Sequence, residues 1–133
     1  MILSKYKFTV DLFASDENCK VKRFYSRFEC HNTRGVDCFN FSWKNEVVYA
    51  CPPPVFAMKT VLFMKECKCK GVLVFPEWKS STVWPVLKQD SIKIFIKNFW
   101  TFPGKNFLKS NVRHKLFNEN FVNNLCVVML DFT

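Results

Sequence analysis

The alternation of apolar and polar positions divides the chain into short strands, one clear helix and several polar turns. Runs of β-branched, aromatic or aliphatic residues at Lys7 to Phe13, Val47 to Ala50 and Val72 to Phe75 are typical of β-strands. Val55 to Lys68 separates the second run from the third, and its pattern predicts a surface helix. Strand, helix and strand within about 30 residues form a βαβ unit, so we expect two parallel neighbouring strands.

The helical pattern also predicts which side of the helix is buried. One side carries Met58, Val61, Leu62 and Lys65. Lys59 and Glu66 fall on the opposite side, as on a helix that faces solvent. We expect Pro54 at the first helical position, where proline is tolerated, and Gly71 at the end.

The second half of the chain has weaker patterns. Ser80-Ser81 precedes a short helix predicted from Val83 to Leu87. The alternation from Ser91 to Lys97 predicts a half-exposed strand, and Leu125 to Phe132 predicts an apolar closing strand. Phe99 to Asn124 lacks periodicity and is predicted to be a long loop.

Composition fits one domain over residues 1–133, because 133 residues of which 49% are hydrophobic can bury a single core. The three glycines, Gly35, Gly71 and Gly104, cannot form a G-x-G-x-x-G or Walker-type loop. The net charge of +9 favours an anionic partner, most simply nucleic acid. The alternative is that dispersed lysines serve solubility, since the sequence contains no long basic run.

The cysteines indicate free thiols rather than a disulfide framework or a metal site. Their number, seven, is odd and no secretory signal precedes them, so we expect an intracellular chain, cytoplasmic or nuclear. Cys67-Lys68-Cys69 and Cys30-His31 lack the spacing of a zinc site, and we expect no metal. No apolar stretch approaches the ~20 residues that a membrane-spanning helix needs.

Three predicted strand ends carry polar or proline-rich segments. These are Asp11 to Ser15, Cys51-Pro52-Pro53-Pro54 and Pro76-Glu77-Trp78. In a parallel sheet all three lie at one edge, around one crevice where ligands bind. Prolines also simply terminate strands, but three such ends in this order are harder to explain in that way.

In their order, these segments resemble the Dam-like adenine methyltransferases of bacteriophages. That family carries an Asp-Pro-x-Ala-Ser segment with a following Asn, an Arg-Tyr-Phe-like stretch, and an Asn-Pro-Pro-Tyr motif before a helix and a hydrophobic strand. The matching pieces here are Asp11, Ala14, Ser15, Asn18, Arg23-Phe24-Tyr25, Trp43, Pro52-Pro53 and Val72 to Pro76.

A closer resemblance is to the domain that follows reverse transcriptase and ribonuclease H in polyproteins of DIRS-type, tyrosine-recombinase retrotransposons. It spans about Phe8 to Phe132 and rests on Thr9 to Ser15, Arg23 to Arg27, Gly35 to Phe39, Trp43, Pro52-Pro53, Val72 to Trp78, Trp84-Pro85 and Leu130 to Phe132. The resemblance implies a trimmed class I methyltransferase-like fold. A fold of this kind is a single, Rossmann-like α/β domain with a mostly parallel sheet and flanking helices.

The resemblance also implies the site residues and the partners. Asp11, Ala14 and Ser15 would lie near S-adenosylmethionine. We also expect the Asp37 carboxylate to accept a hydrogen bond from a ribose hydroxyl, but this expectation rests only on the position of Asp37 at a strand end. The loop Cys51-Pro52-Pro53-Pro54 would hold the target base. In the family, the Asn side chain and a proline carbonyl accept the two amine hydrogens of a flipped adenine, and the aromatic stacks on it. Nucleic acid and the polyprotein's reverse transcriptase and ribonuclease H are the implied partners.

This loop departs from the family motif at both chemical positions. Cys51 replaces the Asn and is a weak acceptor, and Pro54 replaces the aromatic residue. Losing one placed acceptor costs about 3 kcal/mol of transition-state stabilisation, and losing the stacking surface about 1–3 kcal/mol more. We therefore expect a catalytically degenerate domain. An active S-adenosylmethionine-dependent DNA adenine methyltransferase and a non-enzymatic α/β interaction domain stay open as alternatives.

Overall fold

The structure is a computed structural model that describes residues 6–14, 24–26, 35–78, 80–103 and 124–133. Its strands are β1 (Val10–Asp11), β2 (Tyr25–Ser26), β3 (Gly35–Val36), β4 (Val47–Ala50), β5 (Lys70–Pro76), β6 (Ile96–Pro103) and β7 (Asn124–Asp131). Its α-helices are α1 (Ala57–Cys67), α2 (Val83–Lys88) and α3 (Asp90–Lys93). Two 3₁₀ turns, Cys38–Asn40 and Pro54–Phe56, precede β4 and α1 respectively.

Five of the strands form one mixed sheet in the order β1-β4-β5-β7-β6. β4 pairs in parallel with β1 and with β5, which confirms the predicted βαβ unit. β7 runs antiparallel to both β5 and β6. The expected mostly parallel sheet is therefore only partly confirmed, because the closing strand β7 returns between β5 and β6.

The short strands β2 and β3 pair in parallel and adjoin the large sheet at β1. Asp11 pairs with Tyr49 of β4 and also forms a parallel bridge with Phe24, the residue before β2. Since β4 occupies one edge of β1, Phe24 lies along the other edge. The chain thus runs outward from β1 to β2 and β3 and then returns to the opposite side of β1 at β4.

The helix α1 agrees with the predicted position but only in part with the predicted buried face, since Val61 is buried and Lys59 and Glu66 are exposed as expected. The residues buried against the sheet are Ala57, Thr60, Val61 and Met64. Met58 and Leu62, expected inside, are 38% and 44% exposed. Thr60 is tolerated inside because its hydroxyl donates a hydrogen bond to the Phe56 carbonyl at 2.7 Å.

The end of α1 and the role of Gly71 also differ from prediction. The helix is capped by Lys68 in the left-handed conformation, with φ 55°, so Gly71 does not end it. Gly71 lies within β5 opposite Val48, where a β-carbon would come within 2.1 Å of the Val48 carbonyl oxygen. Glycine is therefore needed for the close approach of β4 and β5.

The predictions for residues 91–103 are wrong except at Ile96 and Lys97, which are strand residues as expected. Asp90–Lys93 is helical, and its first turn is fixed by backbone hydrogen bonds from Ile92 and Lys93 to the Gln89 carbonyl. Ile92 is buried while Ile94 is 70% exposed, so the isoleucines do not share one strand face. The segment Ile96–Pro103, expected to be mostly loop, is strand β6. The rest of the predicted loop, residues 104–123, lies outside the described residues.

Hydrophobic residues are buried on both faces of the large sheet. On one face, Val48, Ala50 and Leu73 pack with α1, α2 and α3. On the other face lies a second cluster, formed by Tyr49, Cys51, Val72, Val74, Leu125, Val127 and Met129. In the described ranges, no helix combines the length and apolar character that crossing a membrane requires.

We expect Gly71→Ala to lower the free energy of unfolding by about 3 kcal/mol, because the methyl group overlaps fixed backbone atoms of Val48. Gly35→Ala is the matched control, since the nearest atoms to its methyl group would belong to the Phe41 side chain, at 2.4 Å, and not to the backbone. Urea unfolding of both variants measures the difference. A Gly71→Ala protein as stable as Gly35→Ala would contradict the close approach of β4 and β5.

Candidate functional site

The three predicted strand ends meet at one edge of the sheet. β1, β4 and β5 are parallel, so Asp11, Cys51 and Glu77 all lie at their carboxyl ends. Among these, the ends of β1 and β4 adjoin each other directly. We call the space outside these two ends, bounded by Asp11 and the loop 51–54, the strand-end crevice.

Asp11 is a buried carboxylate at this crevice. Its register with Tyr49 places the two side chains on the same face of the sheet, and Cys51 follows on that face two residues later. The carboxylate accepts a 3.4 Å hydrogen bond from the Phe13 backbone N–H. Burial is the main cause that raises the pKa of both Tyr49 and Cys51, and the Asp11 carboxylate adds to the rise in each, so the three groups lie within electrostatic range of one another.

Cys51 is a buried, neutral thiol. Burial, and secondarily the Asp11 carboxylate, raise the pKa of the Cys51 thiol far above its usual value. A protonated thiol is a poor nucleophile and a weak hydrogen-bond acceptor. The position that carries the Asn in the resembling family thus offers neither a nucleophile nor an efficient acceptor in this chain.

The carbonyls of Pro53 and Pro54 in the proline loop accept hydrogen bonds from the turn that follows, which makes the loop rigid. Pro53 is extended, with φ −50° and ψ 139°, and its carbonyl accepts a 2.8 Å hydrogen bond from the Phe56 N–H. Pro54 begins the 3₁₀ turn, and its carbonyl accepts from the Ala57 N–H. Within the described ranges, no hydrogen bond reaches the carbonyl of the buried Pro52. Of the acceptors expected in this loop, the Pro52 carbonyl is the one that accepts no hydrogen bond from the described residues.

Phe56 does not provide the stacking ring that the resemblance leads us to expect at this loop. Its ring packs against Phe39, with 6.2 Å between centroids. Phe39 is the centre of an aromatic cluster that also includes Phe13, Trp43 and Phe63, all within 5.8 Å of its centroid. Phe56 is thus part of this packing beside the crevice.

Of the other residues predicted to bind the cofactor, Asp37 and Ala14 lie at the same edge of the sheet. Asp37 is exposed, has φ 62°, and its carboxylate accepts a 3.1 Å hydrogen bond from the Phe39 N–H. Burial, then Asp37 and more weakly Asp11, raise the pKa of the Cys38 thiol, which places both carboxylates near Cys38. The Ala14 N–H donates to the Tyr25 carbonyl. Ser15 falls outside the described residues.

The Tyr49 hydroxyl is a feature that sequence reasoning missed. Tyr49 is 2% exposed, and its hydroxyl has no hydrogen-bond partner within the described ranges. A buried hydroxyl without a partner is costly, at about 1–3 kcal/mol. The sequence did contain a signal for this feature, which is a tyrosine within an otherwise aliphatic strand. A buried tyrosine normally needs a hydrogen-bond partner for its hydroxyl, and an aliphatic strand supplies none from its side chains.

Glu77 belongs to a second polar group farther along the same edge. Its carboxylate accepts hydrogen bonds from Asn124 Nδ2 at 3.4 Å and from Cys126 Sγ at 3.8 Å. Trp78, beside it, is partly exposed. The sequence did not indicate this group because Asn124 and Cys126 reach Glu77 only through the antiparallel return of β7 along β5.

No protein-family model, curated protein or solved structure matches the chain. In the part of the chain that the structure describes, no group of three or more potential metal-ligating side chains is found. The crevice is therefore described by its own residues alone.

We expect iodoacetamide to label Cys67 in the folded protein and to leave Cys51 and Cys69 unmodified. Cys67 is half-buried, whereas Cys51 and Cys69 are buried with raised pKa values, so few of their thiols ionise. Mass spectrometry of tryptic peptides resolves the sites, because cleavage at Lys68 separates Cys67 from Cys69. Rapid labelling of Cys51 without denaturant would contradict the buried, neutral thiol.

Proposed function

We propose that the chain is a retroelement-derived, catalytically degenerate DNA adenine methyltransferase-like domain that binds nucleic acid and retains a pocket for S-adenosylmethionine. The observation that carries the proposal is the meeting of Asp11 and the loop 51–54 at the point where the strand order reverses. The retrotransposon origin, and with it the reverse transcriptase and ribonuclease H partners, rests on the sequence resemblance. The intracellular setting rests on the cysteine usage and stays a prediction.

The strand order supports a Rossmann-like arrangement. With the Asp11–Phe24 bridge joining the two sheets, the order runs β3-β2-β1-β4-β5 before the antiparallel strands. Doubly wound sheets share this order and bind ligands outside the carboxyl ends of the strands where it reverses, between β1 and β4. The strand-end crevice lies at that position.

The polar groups of the crevice fit a cofactor with ribose hydroxyls and an amine. Asp11 supplies a buried carboxylate, and the buried Tyr49 hydroxyl has no partner among the described residues. Asp37 supplies an exposed carboxylate at the end of β3. Bound S-adenosylmethionine would supply an electrophilic methyl group, and these side chains would hold and orient it.

The groups that would activate adenine are missing, which supports degeneracy. The Cys51 thiol is buried and protonated, Pro54 has no aromatic face, and Phe56 packs against Phe39. The Pro52 carbonyl is left to accept one amine hydrogen. One acceptor without a stacking surface binds a base weakly, and it does little to make its amine nucleophilic.

The methyl-transfer prediction uses a variant that restores the family motif. We expect Cys51→Asn combined with Pro54→Tyr to transfer methyl groups to adenine in DNA about 10³-fold faster than the unmodified chain, because it regains an acceptor and a stacking ring. Radiolabelled S-adenosylmethionine and a DNA duplex measure both rates. Equal, substantial rates would favour the active-enzyme alternative, and no transfer by either would count against a methyltransferase origin.

The cofactor prediction concerns Asp11. We expect S-adenosylmethionine at ten times its dissociation constant to raise the melting temperature by about 5 °C, because the ligand binds only the folded state. Asp11→Asn should lose this rise, whereas Asp90→Asn, an exposed control on α3, should keep it. Absence of any rise at millimolar ligand would refute a retained cofactor pocket. An unchanged rise in Asp11→Asn would remove Asp11 from the site.

A further inference from the structure

An open groove of about 500 Å³ lies between the segment 39–44 and the last turns of α1. We call it the α1 groove. Its lining includes Phe39, Phe41, Phe63, Lys44, Lys68 and Glu66. Phe39 is also the ring that packs against Phe56 after the proline loop, so one end of the groove adjoins the strand-end crevice.

The Phe41 ring is an aromatic surface that is held in place and yet exposed. It stacks on Tyr25 with 4.9 Å between centroids and 21° between ring planes. On the Gly35 side, a β-carbon would lie 2.4 Å from Phe41 Cζ, so the missing side chain of Gly35 makes room for the ring. The ring nevertheless stays 38% exposed. A fixed, accessible ring loses little entropy when a flat ligand stacks on it.

The charge around the groove favours an anion. Lys44 and Lys68 line it and are exposed, against one carboxylate, Glu66. At the Phe39 end, Lys59 adds a third cation, with its Nζ 4.2 Å from the centre of that ring, and Asp37, which accepts from the Phe39 N–H, adds a second carboxylate. The backbone under Lys68 is fixed, because its N–H donates to the Lys65 and Met64 carbonyls. Proteins that bind single-stranded nucleic acids combine aromatic rings, on which bases stack, with basic side chains beside the phosphates.

We propose that the α1 groove binds single-stranded nucleic acid, with an unpaired base stacked on Phe41 and phosphates beside Lys44 and Lys68. A duplex does not fit this arrangement, because its bases are already stacked on one another. The inference rests on the proposed nucleic-acid binding and names the surface and the form of nucleic acid. It assigns binding to a groove along α1, separate from the residues of the strand-end crevice.

The test compares two charge-matched double variants of the full chain in binding a fluorescent oligothymidine. Lys44→Glu with Lys68→Glu changes the groove, and Lys93→Glu with Lys97→Glu makes the same change in net charge at exposed positions on α3 and β6. We expect at least a tenfold loss of affinity for the groove variant and at most threefold for the control. The salt dependence of the groove variant should fall by about 1.4 in log–log slope, for two lost phosphate contacts.

Phe41→Leu tests the stacking separately. It keeps an apolar side chain against Tyr25 but removes the aromatic face, so we expect about tenfold weaker binding with an unchanged salt slope. The half-buried Cys67, which also lines the groove, gives a local reading: bound oligothymidine should slow its alkylation in the unmodified chain. Circular dichroism and melting temperature confirm that each variant folds.

The outcomes separate the inference from the proposed function. If the unmodified chain binds neither oligothymidine nor duplex, nucleic-acid binding itself is refuted. If it binds oligothymidine but both double variants lose affinity equally and Cys67 is not protected, binding stands and the α1 groove is refuted. Preference for duplex over single strand would likewise overturn the single-strand assignment.

Discussion

The parallel contact of β4 with β1 and β5 is the constraint on which the rest of this structure depends. β4 is only four residues long, and its pairing with β5 requires that Gly71 have no side chain opposite Val48. That contact fixes the register of the βαβ unit. The register in turn places Asp11 beside Tyr49 and carries the chain out of the sheet at Cys51, next to the end of β1. A slip of one residue would turn these side chains to the opposite face.

The local elements with strong signals were predictable from the sequence. The local sequence pattern and the fold favour the same structure in three elements: the strand Val47–Ala50, the helix after the prolines and the closing strand. Residues 91–97 were mispredicted because isoleucines two apart suit a strand face, while local hydrogen bonds to Gln89 favour a helical turn there. The buried face of α1 was mispredicted because small Ala57 and Thr60 contact the sheet, whereas bulkier Met58 and Leu62 face outward.

The candidate site was predictable only in outline. Proline and acidic residues at strand ends indicated the edge of the sheet, because parallel strands share one carboxyl end. The partners across that edge depend on long-range pairing that no local pattern encodes. Examples are the Asn124 amide at Glu77 and the Phe24 bridge to Asp11. The position of the Phe41 ring likewise depends on its stacking with Tyr25, 16 residues earlier, and on the space left by Gly35.

Under the proposed function, the proline loop explains how a methyltransferase-like scaffold can keep its shape after losing its catalytic groups. Its shape comes from the fixed φ of the prolines and from the hydrogen bonds that the Pro53 and Pro54 carbonyls accept. None of these uses the side chain at position 51 or an aromatic ring at position 54. A thiol can therefore fill the buried place at position 51, and a proline can begin the turn at position 54, without altering the strand end. The α1 groove, for which we propose nucleic-acid binding, is built on other elements and does not depend on the side chains at positions 51 and 54.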